Sequence, residues 1–475
     1  MTPLAIALPA LSLLLANATD PTNEAAVFAE RLHAETNVAG GLTAEVAARR
    51  AEARSGDVEA RRADVDAAAA AVDQALVAYF PRLAASARYT RLSAIDPPLL
   101  GVLVGADAPA GPLPAGTQLV NVPIKLPIEL NQTSFQAQLA VPLSDYVFRI
   151  GQSHAAASHS EEAARHAEEA ARRKARAEAK TLYYEWTRAK LSRVVADAAV
   201  AQASGHLEDA RHAFEAGSAS KADVLRVEAQ LAAADQVAVR ARTLTTALEA
   251  RLRTMMHAPA NEALAIGEPV DVDFVASSGA RDLEVLAADA ERARPEVRAV
   301  DSTIGALDQQ ARAVRNAAAP SLAVIGEVTD ANPNLRYVPA PDAFETTWSV
   351  TAQLAWSPND AFSAAKAGRG VAARRDAARG QRTALLDGVR SEIAGALQAV
   401  DESASAQQTS ARAVAAAEES YRVRRSLFQN GRATSVELTD AETELTRARL
   451  DLVAARIAAR VANVQLARAT GADAN

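Results

Sequence analysis

Ala216-Gly217-Ser218-Ala219-Ser220-Lys221-Ala222-Asp223-Val224-Leu225 and Asn430-Gly431-Arg432-Ala433-Thr434-Ser435-Val436-Glu437-Leu438 are one motif written twice, 214 residues apart (431 − 217). Gly217 and Gly431 suit the positive-φ position that ends a helix. Ser220 and Thr434 suit the N-cap of a returning helix, and Asp223 and Glu437 stand three residues later, where a capping box needs an acid. For these acids, capping and helix-dipole compensation are by themselves a sufficient role. Each stretch therefore predicts the turn of a helical hairpin. The repetition spreads outward. Ala137-Gln138-Leu139-Ala140 recurs as Ala352-Gln353-Leu354-Ala355, an offset of 215 (352 − 137), and Pro81 recurs as Pro320, an offset of 239 (320 − 81). The offset changes almost only between those two landmarks. The chain is a tandem duplication whose first copy carries one long insertion.

Helix dominates both copies. No proline occurs between Pro142 and Pro259 or after Pro358, and these stretches are rich in Ala, Leu, Glu and Arg, all good helix formers. Glu161/Arg165, Glu168/Arg172 and Glu169/Arg173 are i,i+4 pairs with the acid first, the favourable order. A continuous helix from Leu143 to Ala216 would run about 110 Å. Alanine lets such helices approach closely. The stripe Val436, Leu445, Leu450, Val453, Ile457, Val461 and Val464 fits coiled-coil contact.

Four short segments between the helices read as strands. Trp348, Val350, Ala352, Leu354 and Trp356 alternate with Thr347, Ser349, Thr351, Gln353 and Ala355, the period of a strand with one apolar face. Trp348 and Trp356 at its two ends fit the aromatic girdles of an outer-membrane barrel. The first copy gives Phe135, Ala137, Leu139 and Val141 against Ser134, Gln136, Gln138 and Ala140. The entering strands are Leu83–Arg91 and Leu322–Thr329, each led by the proline that stops the preceding helix. Strands are thus expected at about 82–92, 131–141, 321–329 and 346–356. Four strands cannot close a membrane barrel, which needs at least eight; three chains would supply twelve. A soluble hairpin pair capping a helical bundle is the other arrangement of these strands. The insertion Asp96–Leu130, rich in Pro and Gly, and the shorter Asp330–Phe344 are expected as loops.

Composition excludes several classes. The net charge of −7 argues against a nucleic-acid partner. With no cysteine the chain has no disulfide, cysteine metal site or acylated cysteine. No apolar run reaches the length of a membrane helix. Leu4–Ala16, followed by Ala16-Asn17-Ala18, fits a secretory signal over residues 1–18, with the mature chain starting near Thr19. No P-loop, dinucleotide turn or His-Glu-x-x-His is present, so no enzyme, cofactor or metal site is expected. His159 and His166, seven apart, are expected as solvated helix residues, and Tyr183-Tyr184-x-Trp186 as a packing cluster.

A hairpin led by proline, a long helix, a glycine turn and a returning helix, given twice after a signal segment, resembles the TolC family of outer-membrane efflux proteins. The likeness covers about Leu42 to Gly471, and the turns at Gly217 and Gly431 carry it most specifically. It implies a mainly α chain with a small β part, arranged as an N-terminal segment (19–41), a first repeat (42–257), an equatorial linker (258–281), a second repeat (282–471) and a short tail (472–475). In that fold three chains build a 12-stranded outer-membrane barrel continued by a helical barrel in the periplasm. The resemblance implies a homotrimer in outer-membrane lipid that passively exports drugs, metals or polypeptides. Its partners would be a periplasmic adaptor (membrane fusion) protein and an inner-membrane RND or ABC transporter. Glu437 and Asp440 match the acids that ring the family's periplasmic constriction, and Asp223 the acid that helps hold its tip closed. Adaptor hairpins would dock at Gly217, Ser220, Gly431, Arg432 and Thr434. The family's tip arginine is Ala433 here, with Arg432 one place earlier, and its tip tyrosine is Phe428, so the latch is not carried over intact. A periplasmic coiled-coil adaptor or structural protein without a pore is the alternative; two hairpins and no lipoyl-like halves count against it.

Overall fold

The computed structural model describes residues 21–94, 99–106, 112, 115–116, 118–125, 129–274, 282–338 and 340–472. The expected signal segment lies outside the described residues. The helices are α1 (Pro21–Ala34), α2 (Ala44–Arg54), α3 (Gly56–Val77), α4 (Leu143–Phe148), α5 (Ile150–Glu215), α6 (Lys221–Met256), α7 (Leu283–Ala293), α8 (Pro295–Asn316), α9 (Pro358–Gln429) and α10 (Ser435–Thr470). The strands are β1 (Arg82–Arg91), β2 (Leu99–Ala106), β3 (Leu119–Lys125), β4 (Asn131–Val141), β5 (Ser321–Asn332) and β6 (Glu345–Ala355).

The duplication is kept to the residue. Both limits of α2 and of α3 recur in α7 and α8 at an offset of 239 (283 − 44), and both limits of α6 recur in α10 at 214 (435 − 221). Even the one-residue break inside the opening helix is repeated. At Ser55 and at Arg294 the backbone turns extended. Pro295 then opens α8, where a missing N–H costs nothing. The 66 residues of α5 and 72 of α9 span roughly 100 and 110 Å. The stretch from Leu143 is not one helix: it breaks at Arg149, between α4 and α5.

The chain divides into two compact units. The first holds the described residues up to Ala67, Glu162–Ser302 and those from Ala378 onward. Its core is built on Tyr183 and Trp186, both fully buried, with Leu191, Leu252, Ile266 and Ile457 around them. Burial pushes the Tyr183 hydroxyl well above the ordinary phenol range, so it stays a donor, and it donates to the Leu42 carbonyl at 2.8 Å. The same carbonyl accepts the Gly267 N–H at 2.8 Å. Here the segment before α2 and the linker after α6 run side by side, Leu42 bridging in parallel to Ile266. Glycine is required at this crossing: a Cβ on Gly267 would lie 2.5 Å from the Gly41 carbonyl oxygen. Glu268 accepts the Ala44 N–H at the start of α2 and the Tyr184 hydroxyl. Arg460 of α10 donates to the carbonyls of Pro269 and Val272. The linker is thereby tied to α2, α5 and α10 at once.

The second unit holds Ala68–Glu161 and Thr303–Ala377. Its sheet is antiparallel in the order β1-β4-β5-β6, so β1 and β6 are edges. The insertion expected as a loop contains a further hairpin: β2 pairs with β3 in a separate two-stranded sheet. Among the described residues the chain thus has six strands rather than four. The reason is local. Leu99-Leu100-Gly101-Val102-Leu103-Val104 and Leu119-Val120-Asn121-Val122 are aliphatic, β-favouring runs. The prolines and glycines that argued for a loop lie mostly outside them, and a two-stranded ribbon tolerates Pro123 because each strand keeps an open edge.

Candidate functional site

The two tips are built alike. Gly217 and Gly431 have φ of 75° and 68°, and each closes a Schellman turn. The N–H groups of Gly217 and Ser218 bond to the carbonyls of Phe214 and Ala213. Those of Gly431 and Arg432 bond to the carbonyls of Phe428 and Leu427. Ser220 and Thr434 cap the returning helices α6 and α10, and both capping boxes are complete. Asp223 accepts the Ser220 N–H at 3.1 Å and its hydroxyl at 2.6 Å. Glu437 accepts the Thr434 N–H at 2.8 Å and its hydroxyl at 3.0 Å.

The tips then diverge. The second oxygen of Asp223 accepts the Ser435 hydroxyl at 2.5 Å, which ties the first tip to the start of α10. Hydrogen bonds from the Ser220 side chain, then from Ser435 and the Ser220 backbone, hold the Asp223 carboxyl below the usual aspartate range. Those from the Thr434 backbone and side chain do the same for Glu437. Both Glu437 and Asp440 are exposed. Arg432 places its N–H in the turn, but the arginine whose side chain crosses the second tip is Arg424, which donates to the Glu437 carbonyl at 3.1 Å. Gln230 of α6 donates to Thr443 of α10 at 3.0 Å, a further tie between returning helices.

Deeper along the same helices, His206 of α5 meets Glu442 of α10, Nδ1 to Oε1 2.7 Å, with side chains only 4% and 5% exposed. Ser435, Arg424, His206 and Glu442 escaped the sequence reading, because the positions in each contact lie on different helices or turns. Only the duplicated frame, which places α10 beside α6, hints at them. Of the other histidines, His166 stands 3.8 Å from Glu169. Among the described residues no group of three or more His, Asp or Glu is placed to hold a metal ion.

The sheet offers a second surface. Its register places Leu83, Leu139, Gly326 and Val350 in one row and Ala85, Ala137, Val328 and Trp348 in another. Direct partners share a face, so one face is apolar over these rows, turning polar only where Phe135 meets Asp330 and Asp330 meets Thr346, and it stays open: Trp348 is 72% and Leu354 71% exposed. The opposite face carries Ala84, Gln138, Glu327 and Ser349, then Ser86, Gln136, Thr329 and Thr347. Trp348 and Trp356 bracket the apolar face of β6, and Trp356 donates its indole N–H to the Ala318 carbonyl at 3.1 Å.

A family model described as outer membrane efflux protein matches residues 47–257 and 286–472, the greater part of the chain. No curated protein matches it. Among solved structures, the outer-membrane channel OprN is 19% identical with a TM-score of 0.71, over 90% of this chain and 89% of its own. CusC is 14% identical with a TM-score of 0.73, over 90% of this chain and 92% of its own. The CmeC outer membrane channel of Campylobacter jejuni is 14% identical with a TM-score of 0.71, over 92% of this chain and 89% of its own. At these identities the likeness is one of fold.

Proposed function

We propose that this chain, which belongs to the outer membrane efflux protein family, is one third of a trimeric exit duct. The observation that carries the reading is the four-stranded sheet. One of its faces is apolar and exposed, the other polar, and both edges are open. An open edge is not tolerated in lipid, and three such sheets make an allowed barrel of twelve strands. The apolar face with Trp348 and Trp356 would meet outer-membrane lipid, and the polar face would line the lumen. The helical unit would stand in the periplasm.

Three copies would bring Glu437 and Asp440 together as six carboxylates around the periplasmic end, with Asp223 bracing the neighbouring tip. Rings of acids favour cations. An adaptor's hairpins would dock at Gly217, Ser220, Gly431, Arg432 and Thr434, and an inner-membrane RND or ABC transporter would supply the energy. The direct test is ion conductance of the detergent-extracted protein in planar bilayers, beside a Glu437→Ala/Asp440→Ala variant. A small cation-selective current that grows or loses selectivity in the variant supports the reading; a trimer that passes no current in either form counts against it. Gly431→Leu should impair adaptor docking and leave the trimer intact; unchanged efflux from well-expressed variant would remove the tips from the docking role.

A further inference from the structure

We propose that β6 of one copy pairs with β1 of the next in a single register, which sets Gln353 opposite the neighbour's Arg88 and Ala352 opposite the neighbour's Tyr89. The inference rests on the duct reading and assigns the contacts of its two open edges. It follows from the duplication. Adding 239 to a β1 number and 215 to a β4 number, the offsets of Pro81 to Pro320 and of Ala137 to Ala352, carries the first hairpin onto the second. Arg82↔Ala140 becomes Ser321↔Ala355, and Leu83↔Leu139 becomes Leu322↔Leu354. The match runs through to Arg91↔Asn131, which becomes Asp330↔Thr346. All ten pairs of the first hairpin reappear in the second without a slip.

One join between hairpins lies inside the chain, β4 with β5. In a closed ring the join of β6 to the neighbour's β1 is the same event one repeat later. The two offsets carry Val141↔Val324 to Trp356↔Ala85 (141 + 215, 324 − 239) and Leu139↔Gly326 to Leu354↔Ala87. They carry Gln138↔Glu327 to Gln353↔Arg88 and Ala137↔Val328 to Ala352↔Tyr89. Apolar face then continues into apolar face, and Gln353 and Arg88 both stand on the polar one. A slip of one residue would set the two faces against each other, so the competing registers are those two residues away. Both strands are open to receive the partner: β1 is exposed at every residue but Thr90, and β6 from Val350 to Ala355.

A side chain at the foot of the join separates the proposed register from its competitors. Inside the chain the Leu322 N–H, at the start of β5, donates to the Ser144 hydroxyl oxygen of α4 at 3.0 Å. The offsets turn this pair into the neighbour's Leu83 N–H and Asn359, at the start of α9 (322 − 239, 144 + 215). Asn359 is exposed, and its carboxamide oxygen can accept that bond as the hydroxyl does. A slip of two residues moves Leu83 by about 7 Å and leaves Asn359 without it. The other bond across the inner join, from the Asn316 side chain to the Phe148 carbonyl, is not repeated, since Val77 stands where Asn316 would (316 − 239).

The chain has no cysteine, so introduced pairs are its only thiols. β1 and β6 are opposite edges of one sheet, so a bond between them must join two copies. The full-length protein in detergent is oxidised with Gln353→Cys/Arg88→Cys or with Ala352→Cys/Tyr89→Cys, and covalent trimer is read on a non-reducing gel. The displaced controls are Gln353→Cys with Ser86→Cys or Thr90→Cys, and Ala352→Cys with Ala87→Cys or Arg91→Cys. Opposed Cβ atoms lie about 4.5–5.5 Å apart and displaced ones about 7–8 Å, while a disulfide needs about 3.5–4.5 Å. Adjacent pairs alternate between the wider and the closer kind, so one of the two in-register pairs is of the closer kind. That pair should give at least fivefold more covalent trimer than either of its displaced controls. A displaced control that matches or exceeds both in-register pairs overturns the register and leaves the trimer standing. Trimers in light scattering with no cross-link from any pair have the same meaning. A wild type that is monomeric in light scattering, with no covalent product from any pair, overturns the duct reading and the register with it.

Discussion

α6 and α10 are the same helix by descent, each 36 residues long, each opened by a complete capping box. Yet five residues of α6 are buried and seventeen of α10. Duplication preserved length, caps and turns, the features set by local backbone chemistry, and let burial go its own way. α10 lies inside the helical unit, where Leu438, Leu445, Val453, Ile457 and Leu466 join three separate clusters. α6 leaves Leu225, Val237, Val239 and Leu244 uncovered. A helix with that much exposed aliphatic surface is half of a contact, and in the proposed trimer the other half would come from a neighbouring copy. Within the protomer the lesson is that one repeat was kept for the inside and its twin for the surface; in the proposed trimer that surface would be the join.

Substitutions at equivalent positions test this contrast. Leu445→Ala empties a buried site and should cost about 2–5 kcal/mol in urea unfolding, whereas Leu231→Ala, its half-buried equivalent in α6, should cost markedly less. Equal losses would mean that the two helices are equally internal. Next in size, Val239→Asp should leave the unfolding midpoint of the protomer nearly unchanged but drive the assembly apart in light scattering, because a charge would be buried at the join. A stable trimer in that variant would move the contact elsewhere. Ser220→Ala and Thr434→Ala each remove a cap and should each cost about 1 kcal/mol; here the copies should agree. The smallest difference is the Asp223–Ser435 tie. Its carboxyl is held below the ordinary aspartate range, so its contribution is fully present above about pH 4 and is lost as pH falls through the depressed value. The stability gap between wild type and Asp223→Ala should therefore narrow as the pH falls, and a gap that does not change with pH would assign it to something other than the ionised carboxylate.

What the sequence disclosed follows the same division. The period-two alternation of Trp348 to Trp356 and the glycine–cap–acid spacing of the tips are local signals, and they led to β6 and to the tip-side ends of α5, α6, α9 and α10 within a residue or two. Burial was legible only in part: the stripe read along α10 holds the buried Leu445, Val453, Ile457 and Val464, although its first member, Val436, is exposed, while alanine on the other faces gives no such signal. The crossing of Leu42 with Ile266 joins positions 224 apart (266 − 42), and no local pattern announces it. The β2–β3 hairpin is masked because the prolines and glycines of the insertion flank its two short aliphatic runs and dominate its composition. His206 and Glu442 carry no signal in the sequence, because their contact is made across two helices and not by spacing along one.

The open edges at β1 and β6 have a genetic consequence. If three sheets close one wall, each chain's edge is finished only by another chain, and a chain with a spoiled edge spoils every ring it enters. In a cell that makes sound and spoiled copies equally and mixes them at random, only about one ring in eight contains sound chains alone. Lesions in β1 or β6 should therefore act in the presence of the normal gene. Lesions that stop the chain from folding at all, such as those in the Tyr183–Trp186 core, should be silent beside it.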